Sequence, residues 1–408
     1  MSQSIVIVGG GTCGATAAHA LRENGFDGSV ILFGEEANPP YERPPLSKGY
    51  LKGTTCRDTL TIRPGDWYRD NDVELRSATK VTSVDPRDSS VTLATGERQR
   101  YDRLLIATGA RPRIINGDDA GVGHYLRTID DADRLRARLA TASHVVVVGG
   151  GLIGLEVAAA ARRGGVAVTV LEAAPNPLER ALGPVLGAAC ASIHRDEGVD
   201  LRTAQCVAEI RESGGACRIH TTSDTVLECD LVVIGVGVEP VVDFLVDSGI
   251  EINNGVVVDE YGCTSWDNVF AAGDVANHFH PLVGRHIRAE HHDNALRQGR
   301  VVAGNMVGRH QAYNDPHWFW SDQYEHSLQG VGQLDASSDL VIRGSIADHH
   351  FLAFSVVDGK VVGAVGLNSG SGIHAARKLV ACGAVVDPEQ LRDDDIDLRT
   401  LARAVVRP

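Results

Sequence analysis

Two copies of one pattern constrain this 408-residue chain more than any other feature. In each copy a run of branched apolar residues leads into G-x-G-x-x-G and then an alanine-rich stretch, first at residues 5–14 and again at residues 144–154. The pattern predicts a β-strand, a tight turn and an α-helix, because glycines permit the turn and a close approach to a pyrophosphate. The phosphates would lie at the helix N-terminus, where free N–H groups point at them. We therefore expect the chain to bind two dinucleotides.

An acidic residue supports each copy. Glu35 and Glu172 end the next apolar run, roughly 20 residues past the last glycine, where a carboxylate can bind the ribose. A carboxylate at Glu172 bonds a free 2′-hydroxyl but repels a 2′-phosphate, and no basic residue follows before Arg180. The second site is therefore expected to take NADH rather than NADPH.

Length, charge and cysteine content narrow the class of protein. A chain of 408 residues exceeds one hydrophobic core, so two or three domains are expected. The net charge of −14 argues against a nucleic-acid partner. The longest apolar run is broken by glycines and Glu156, so we expect no membrane span. Eight cysteines without C-x-x-C, and no signal sequence before the first strand, indicate a cytoplasmic protein.

Three further strands end in small residues that let the backbone pass close to a cofactor. The first ends in Ala107, Thr108 and Gly109, the second reaches Gly237, and the third ends in Gly273 and Asp274. The predicted fold is α/β, with two Rossmann-like nucleotide-binding domains, the second inserted in the first, and a C-terminal α+β domain. The predicted boundaries are 1–112 with 238–320 for the first domain, 113–237 for the second and 321–408 for the third.

Two other stretches bear on the chemistry that the chain can perform. Four prolines between positions 39 and 45 predict an extended segment, followed by a short helix that opens at Ser47 and Lys48. Histidines are frequent between residues 278 and 292. They show no H-E-x-x-H and no i, i+4 pair with a supporting acid, so we expect no metal site.

Five short stretches, spread over nearly the whole chain, resemble sequences of a known protein family. They are P-P-L-S-K at 44–48, Y-L-R-T at 125–128, G-L-I-G-L-E-V-A at 151–158, A-A-G-D at 271–274 and W-F-W-S-D-Q at 318–323. The chain resembles the glutathione-reductase-type FAD flavoproteins. More narrowly, it resembles the oxygenase-coupled, NADH-dependent ferredoxin reductases, the family that includes putidaredoxin reductase and the reductases of Rieske dioxygenases. The last stretch is the most specific to that family.

The resemblance implies FAD at the first glycine turn and NADH at the second. Lys48 and Glu156 would act by positioning and electrostatics, with Glu156 near the nicotinamide as the partner of Lys48. Trp320 would lie by the flavin ring, near where the ferredoxin docks. The cofactor-binding residues expected from the turns and the resemblance together are Gly9, Gly11, Thr12, Cys13, Gly14, Glu35, Lys48, Val81, Ala107, Thr108, Gly109, Arg127, Gly149, Gly151, Leu152, Ile153, Gly154, Glu172, Gly237, Gly273, Asp274, His291, His292 and Trp320.

The implied activity is hydride transfer from NADH to FAD, followed by single-electron transfer to a two-iron, two-sulfur ferredoxin that feeds a monooxygenase or Rieske dioxygenase. The protein would be a monomer or a homodimer. Two alternatives remain open: a reductase of a small acceptor such as a quinone or an ascorbyl radical, and an NADH-sensing flavoprotein resembling apoptosis-inducing factor. A disulfide or peroxide reductase would need a thiol near the flavin, and residues 38–55 contain no cysteine.

Overall fold

A computed structural model describes residues 3–118, 121–334 and 339–406. The chain forms two compact units. Unit 1 comprises Met1–Glu42, Arg57–Arg111 and Glu239–His317, and unit 2 comprises Arg43–Cys56, Pro112–Val238 and Trp318–Pro408. The boundaries of the three predicted domains stay a prediction.

The helices and strands up to residue 240 fall into two groups along the chain. Up to residue 112 they are β1 (Ser4–Val8), α1 (Thr12–Glu23), β2 (Ser29–Phe33), 3₁₀ helices at Pro44–Ser47 and Arg57–Leu60, α2 (Gly65–Asp70), β3 (Val73–Arg76), β4 (Val81–Asp85), β5 (Ser90–Leu93), β6 (Arg98–Arg100), β7 (Arg103–Ile106) and β8 (Ala110–Pro112). Up to residue 240 they are β9 (His124–Tyr125), α3 (Ile129–Leu139), β10 (His144–Val148), α4 (Leu152–Arg163), β11 (Ala167–Leu171), α5 (Glu179–Asp196), β12 (Asp200–Arg202), β13 (Val207–Ser213), β14 (Ala216–Thr221), β15 (Val226–Cys229), β16 (Leu231–Ile234) and β17 (Val238–Pro240).

The remaining elements complete the chain. Up to residue 317 they are 3₁₀ helices at Asp243–Leu245 and Gly273–Val275, β18 (Val256–Val258), β19 (Val269–Ala271), β20 (Ala276–His280), β21 (Arg285–Ile287) and α6 (His292–Met306). From residue 318 they are β22 (Trp318–Gln323), β23 (His326–Gly332), β24 (Asp339–Ser345), β25 (His350–Val357), β26 (Lys360–Leu367), α7 (Gly370–Ala381), α8 (Pro388–Arg392) and α9 (Leu398–Val406).

Unit 1 is built on a five-stranded parallel sheet in the order β19-β7-β1-β2-β3. Its central strand β1 is buried on both faces, as a continuous apolar run predicts. Ile5 and Ile7 pack into a core on one face with α1 and α6, whereas Val6 and Val8 pack into a second core on the other face. Alternation along the strand therefore lets four successive residues serve two cores.

Unit 2 repeats this arrangement. Its parallel sheet has the order β12-β11-β10-β16-β9, again with the strand that enters the glycine turn in the middle. The strands of this sheet lie, in chain order, between β7 and β19 of the first sheet. The second nucleotide-binding fold is thus inserted in the first, as the sequence predicts.

The C-terminal part of unit 2 is an antiparallel sheet in the order β22-β23-β26-β25-β24. Asp358 and Gly359 form the two-residue turn between β25 and β26, with φ of 50° and 74°. Asp-Gly with two positive φ angles is typical of a type I′ hairpin. Helix α7 covers the sheet, and Phe354, Ile373 and Leu379 share its core.

The fold class is confirmed, but the local prediction for the proline-rich segment is partly wrong. No helix opens at Lys48, and Pro44 and Pro45 are not extended; a 3₁₀ helix covers Pro44–Ser47 and Lys48 is its C-terminal cap. Prolines fit the first turn of a helix, because N–H groups there have no partner within the helix. Within the described residues, no helix combines the length and apolar character that crossing a bilayer requires.

Candidate functional site

The first glycine turn in unit 1 is shaped by contacts that exclude side chains. Gly9 has a φ of 127°, and a Cβ there would lie 2.1 Å from the Ala107 carbonyl oxygen. A Cβ at Gly14 would lie 2.0 Å from the Gly9 carbonyl oxygen. Gly11 caps α1 without a side-chain hydrogen bond, and a Cβ there would meet no atom within 4 Å. Open space therefore lies beside Gly11 at the start of α1, and a pyrophosphate fits there.

The second turn, in unit 2, repeats this geometry. Gly149 has a φ of 104°, and a Cβ there would lie 2.4 Å from the Gly235 carbonyl oxygen. A Cβ at Gly154 would lie 2.1 Å from the Gly149 carbonyl oxygen. Gly151 caps α4, again with no side-chain hydrogen bond, and Leu152 is the first helical residue. This turn also fits a dinucleotide pyrophosphate.

Ile153 follows as the second residue of α4, with 38% of its surface exposed. This exposure is high for isoleucine, which is usually buried. It is therefore available to contact a nucleotide at the second turn.

The two predicted ribose-binding acids differ in their surroundings. Glu172 is held at the second turn, because its carboxylate accepts hydrogen bonds from the backbone N–H of Gly150, at 2.6 Å, and of Ala174, at 2.7 Å. Glu35 forms an ion pair with Lys80 at 2.8 Å, with more than half of each side chain exposed. Glu172 is thus fixed before a nucleotide binds, whereas Glu35 is held only by a solvated contact.

The small-residue strand ends of unit 1 carry backbone geometry that glycine favours. Gly109 and Gly273 have φ of 70° and 78°. The Thr108 hydroxyl donates to the Val241 carbonyl oxygen at 2.8 Å, and the Gly273 N–H donates to the Gln298 side chain at 2.8 Å.

Val81, at the start of β4, is buried with 7% exposure. It belongs to the same apolar core as Val6 and Val8 of β1. Its expected contact with a cofactor stays a prediction.

Cys13 lies inside the first turn and is 5% exposed. Its side chain packs against Gly273 and Gly299, where a Cβ would lie within 3.2 Å of its sulfur. Burial, assisted by the negative charge of Asp274, raises the pKa of the Cys13 thiol far above its usual value. The thiol stays protonated, which fits a small packed residue rather than a redox group.

Helix α6 begins at His292, with His291 as its N-cap. The His292 ring contacts the Glu42 carboxylate. Desolvation lowers the pKa of His291, while Asp274 and Asp293 oppose that shift. A helix N-terminus therefore lies at His291 and His292, two of the predicted cofactor-binding residues.

A buried charge cluster forms in unit 2 around Glu156 of α4. The Lys48 ammonium lies 2.7 Å from Glu156 Oε1, and their side chains are 15% and 4% exposed. Glu156 Oε1 also accepts from the Ser321 hydroxyl at 2.6 Å, and Oε2 accepts from the Ser47 hydroxyl. The predicted pairing of Lys48 with Glu156 is confirmed, and their catalytic roles stay predictions.

Strand β22 supplies the other side of this cluster. Trp318 and Trp320 stack with ring centroids 5.0 Å apart, and the Lys48 ammonium lies 5.9 Å from the Trp320 ring. On the opposite face of the strand, Ser321 reaches Glu156, and the side-chain oxygen of Gln323 lies 2.8 Å from Nε2 of His194 of α5. The alternating residues of W-F-W-S-D-Q therefore join β22 to two helices of the nucleotide-binding fold.

Arg127 and Gly237 lie elsewhere in unit 2. The Arg127 N–H donates to Asp131 at 3.1 Å at the start of α3, and its carbonyl accepts from Arg43 at 2.7 Å. Gly237 has a φ of 99°, and its carbonyl accepts from the Arg113 N–H at 3.0 Å. These contacts fix the backbone, and the cofactor contacts of both residues stay predictions.

The sequence prediction missed Ser47, Ser321, Gln323 and His194. Ser321 and Glu156 are 165 positions apart, so no local pattern joins them. The stretches P-P-L-S-K and W-F-W-S-D-Q contain both serines, but as family markers they do not identify them as hydrogen-bond donors to a carboxylate.

Comparison with known proteins agrees with this geometry. The family model described as pyridine nucleotide-disulphide oxidoreductase matches residues 3–299, and the one described as reductase C-terminal matches residues 318–402. One relative is the anthranilate 1,2-dioxygenase system ferredoxin–NAD(+) reductase component of Burkholderia cepacia, which is 41% identical over 97% of this chain and 98% of its own. Rhodocoxin reductase of Rhodococcus erythropolis is 38% identical over 97% of this chain and 93% of its own.

A solved structure is similar along the whole chain. A chain in the crystal structure of the covalent putidaredoxin reductase–putidaredoxin complex matches with a TM-score of 0.96 at 33% identity, covering 100% of this chain and 99% of that one. The resemblance stated from the sequence is therefore confirmed. This chain belongs to the pyridine nucleotide-disulphide oxidoreductase family and is an oxidoreductase that uses FAD and NADH.

Proposed function

We propose that the chain is an NADH-dependent ferredoxin reductase that supplies a two-iron, two-sulfur ferredoxin, which in turn feeds a monooxygenase or a Rieske dioxygenase. Bound FAD would accept a hydride from NADH and release its electrons one at a time. The relatives support this activity. One is named as a ferredoxin–NAD(+) reductase component and another as a reductase, and each is similar to this chain over nearly its full length.

The protein's own part is to bind, orient and polarise. The two glycine turns fit the pyrophosphates of FAD and NADH, and the carboxylate of Glu172 fits the free ribose 2′-hydroxyl of NADH. Lys48 provides a positive charge in a largely buried place, where electrostatic stabilisation is stronger than in water. Trp320, beside that charge, provides an aromatic surface.

One observation carries the proposal. Glu156 lies on the helix that starts at the second glycine turn. It forms an ion pair with Lys48 and accepts a hydrogen bond from Ser321, which belongs to the C-terminal reductase segment. The segment most specific to ferredoxin reductases is thus hydrogen-bonded to the nucleotide-binding fold. No disulfide joins cysteines among the described residues, and residues 38–55 hold no cysteine that could relay electrons to a thiol substrate.

The activity is tested with NADH, cytochrome c and candidate two-iron ferredoxins encoded beside the gene. We expect cytochrome c reduction to depend on the ferredoxin concentration and to be slow without ferredoxin. Rapid reduction of a quinone, with no gain on adding any ferredoxin, would instead favour a reductase of a small acceptor.

The role of Lys48 has its own test. Lys48→Ala is expected to slow the reduction of bound FAD by NADH in stopped-flow measurements while FAD remains bound. Lys52→Ala is a matched control, because Lys52 is an exposed lysine on the same segment. Equal reduction rates in the two variants would contradict the role that we assign to Lys48.

We also propose a cytoplasmic location and a monomeric or homodimeric state. Eight free thiols suit a reducing compartment, and a net charge of −14 disfavours nucleic acid as a partner. Light scattering of the FAD-loaded protein would measure the oligomeric state, and a tetramer would contradict this proposal.

A further inference from the structure

Two buried histidines share one face of the small sheet in unit 1. His278 and His280 lie on β20, the central strand between β18 and β21. Residues two apart on a strand point to the same side, so both rings face the same interior. Their exposures are 0% and 1%. Neither residue belongs to the nucleotide turns or to the Glu156 cluster.

A third histidine joins them from a distant part of the chain. His317 follows α6 and is 8% exposed. Its ring centroid lies 4.8 Å from that of His280 and 5.5 Å from that of His278. One ring nitrogen from each of the three histidines lies within 4.8 Å of the others. The histidine count near residues 278–292 could not indicate this group, because His317 lies outside that stretch.

The environment of His278 points to a missing ligand. Neither of its ring nitrogens makes a hydrogen bond of ordinary distance and angle with the part of the chain that the structure describes; the Ala276 carbonyl lies near the ring but outside those limits. The side chain is nevertheless fully buried. Buried polar groups are nearly always partnered, and an exception indicates an ion or a water that completes the site.

His280 is held as a metal-binding imidazole usually is. Its Nε2 lies 3.0 Å from the carbonyl oxygen of Asp315, and a carbonyl can only accept, so Nε2 carries the proton. The lone pair is then on Nδ1, which has no hydrogen-bond partner among the described residues. Histidines that bind metals commonly donate their other N–H to a backbone carbonyl in this way.

We propose that His278, His280 and His317 form a site for one divalent transition metal, with Zn²⁺ as the best match. Three neutral imidazoles with a fourth position for water are a known zinc ligand set, and imidazole suits borderline ions better than Ca²⁺ or Mg²⁺. Zinc–nitrogen bonds are about 2.0–2.1 Å long, so the three rings close slightly around the ion. The metal ties β20 to the segment ending at His317 and stabilises the folded chain.

The site is tested on untagged, FAD-loaded protein that has been stripped with a chelator, dialysed and then given ZnCl₂. We expect one zinc per chain by elemental analysis. At zinc about 100-fold above its dissociation constant, the unfolding temperature should rise by about 5 °C. Flavin content is expected to be the same with and without zinc. A loss of zinc binding can therefore be distinguished from a loss of the flavin on which the proposed reductase activity depends.

The variants decide the assignment. His278→Asn and His317→Asn are expected to lose the bound zinc and the thermal shift. His286→Asn is the matched control, because His286 is exposed on β21 and pairs with Phe279, which faces the opposite side of β20. If His278→Asn fails to fold, His317→Asn decides, since His317 is the least buried of the three. The proposal is overturned if the stripped wild-type protein takes up no zinc, or if a folded His317→Asn variant takes up as much as the His286→Asn control.

Discussion

The buried pair of Lys48 and Glu156 makes a quantitative prediction about stability. The ion pair is 2.7 Å long with side chains that are 15% and 4% exposed. Removing one partner of a buried pair lowers the free energy of unfolding by about 3–5 kcal/mol, because the other charge is left without compensation. Lys48 keeps some solvent contact, so we expect about 3 kcal/mol for Glu156→Gln.

Lys48→Met should have a similar effect. The hydroxyls of Ser47 and Ser321 would still donate to the remaining carboxylate, but no cation would balance its charge. In the double variant neither charge is left alone. We therefore expect the double variant to lose no more than either single variant, at most about 3 kcal/mol instead of the sum of about 6 kcal/mol, which is a coupling free energy of at least about 3 kcal/mol.

The assay is a double-mutant cycle by urea unfolding of the FAD-loaded protein, followed by circular dichroism and tryptophan fluorescence. Arg218 and Glu228 provide the control cycle, because they form a 2.5 Å pair in the same unit with side chains 47% and 63% exposed. Exposed pairs couple by less than about 1 kcal/mol. Effects of Lys48→Met and Glu156→Gln that add within about 0.5 kcal/mol would refute the reasoning.

Three further predictions concern pH, FAD and NADH. Burial lowers the pKa of His194 from 6.5 to about 4, so stability is full above pH 6.5 and falls as the pH drops toward 4. At pH 5 the free energy of unfolding should be about 2 kcal/mol lower than it is well above pH 6.5. His194→Gln should reduce the drop in unfolding temperature between pH 7 and pH 5, and a drop equal to that of the wild type would contradict this. Gly14→Ala should prevent FAD retention, measured as flavin per chain, whereas Gly65→Ala should not, because a Cβ there meets no atom within 4 Å; equal flavin content would contradict the phosphate role of the turn. Glu172→Ala should raise the KM for NADH about tenfold with little change in kcat, and an unaltered KM would exclude Glu172 from ribose binding.

Much of the fold could be predicted because its signals are local. Four apolar residues before each glycine turn indicate a strand buried on both faces, and Ile5 to Val8 do serve two cores. The Asp358–Gly359 turn is likewise specified by two adjacent residues with positive φ. Such features need no knowledge of distant parts of the chain.

The buried polar contacts could not be predicted in the same way. Ser321 and Glu156 meet only after two sequence-distant elements pack, and the same holds for Gln323 and His194. The error at Lys48 has a local cause, because prolines exclude a helix interior but favour the first turn of a helix, which here covers Pro44–Ser47.

The burial of Cys13 affects how well such a protein resists oxidation during repeated turnover. A protein that carries reducing equivalents in air meets oxidants, and thiolates are the form of cysteine that they convert to sulfenic and higher acids. A helix N-terminus ordinarily promotes the thiolate, but burial and Asp274 oppose this at Cys13. The sulfur nearest the first glycine turn is thereby kept in its least oxidisable form.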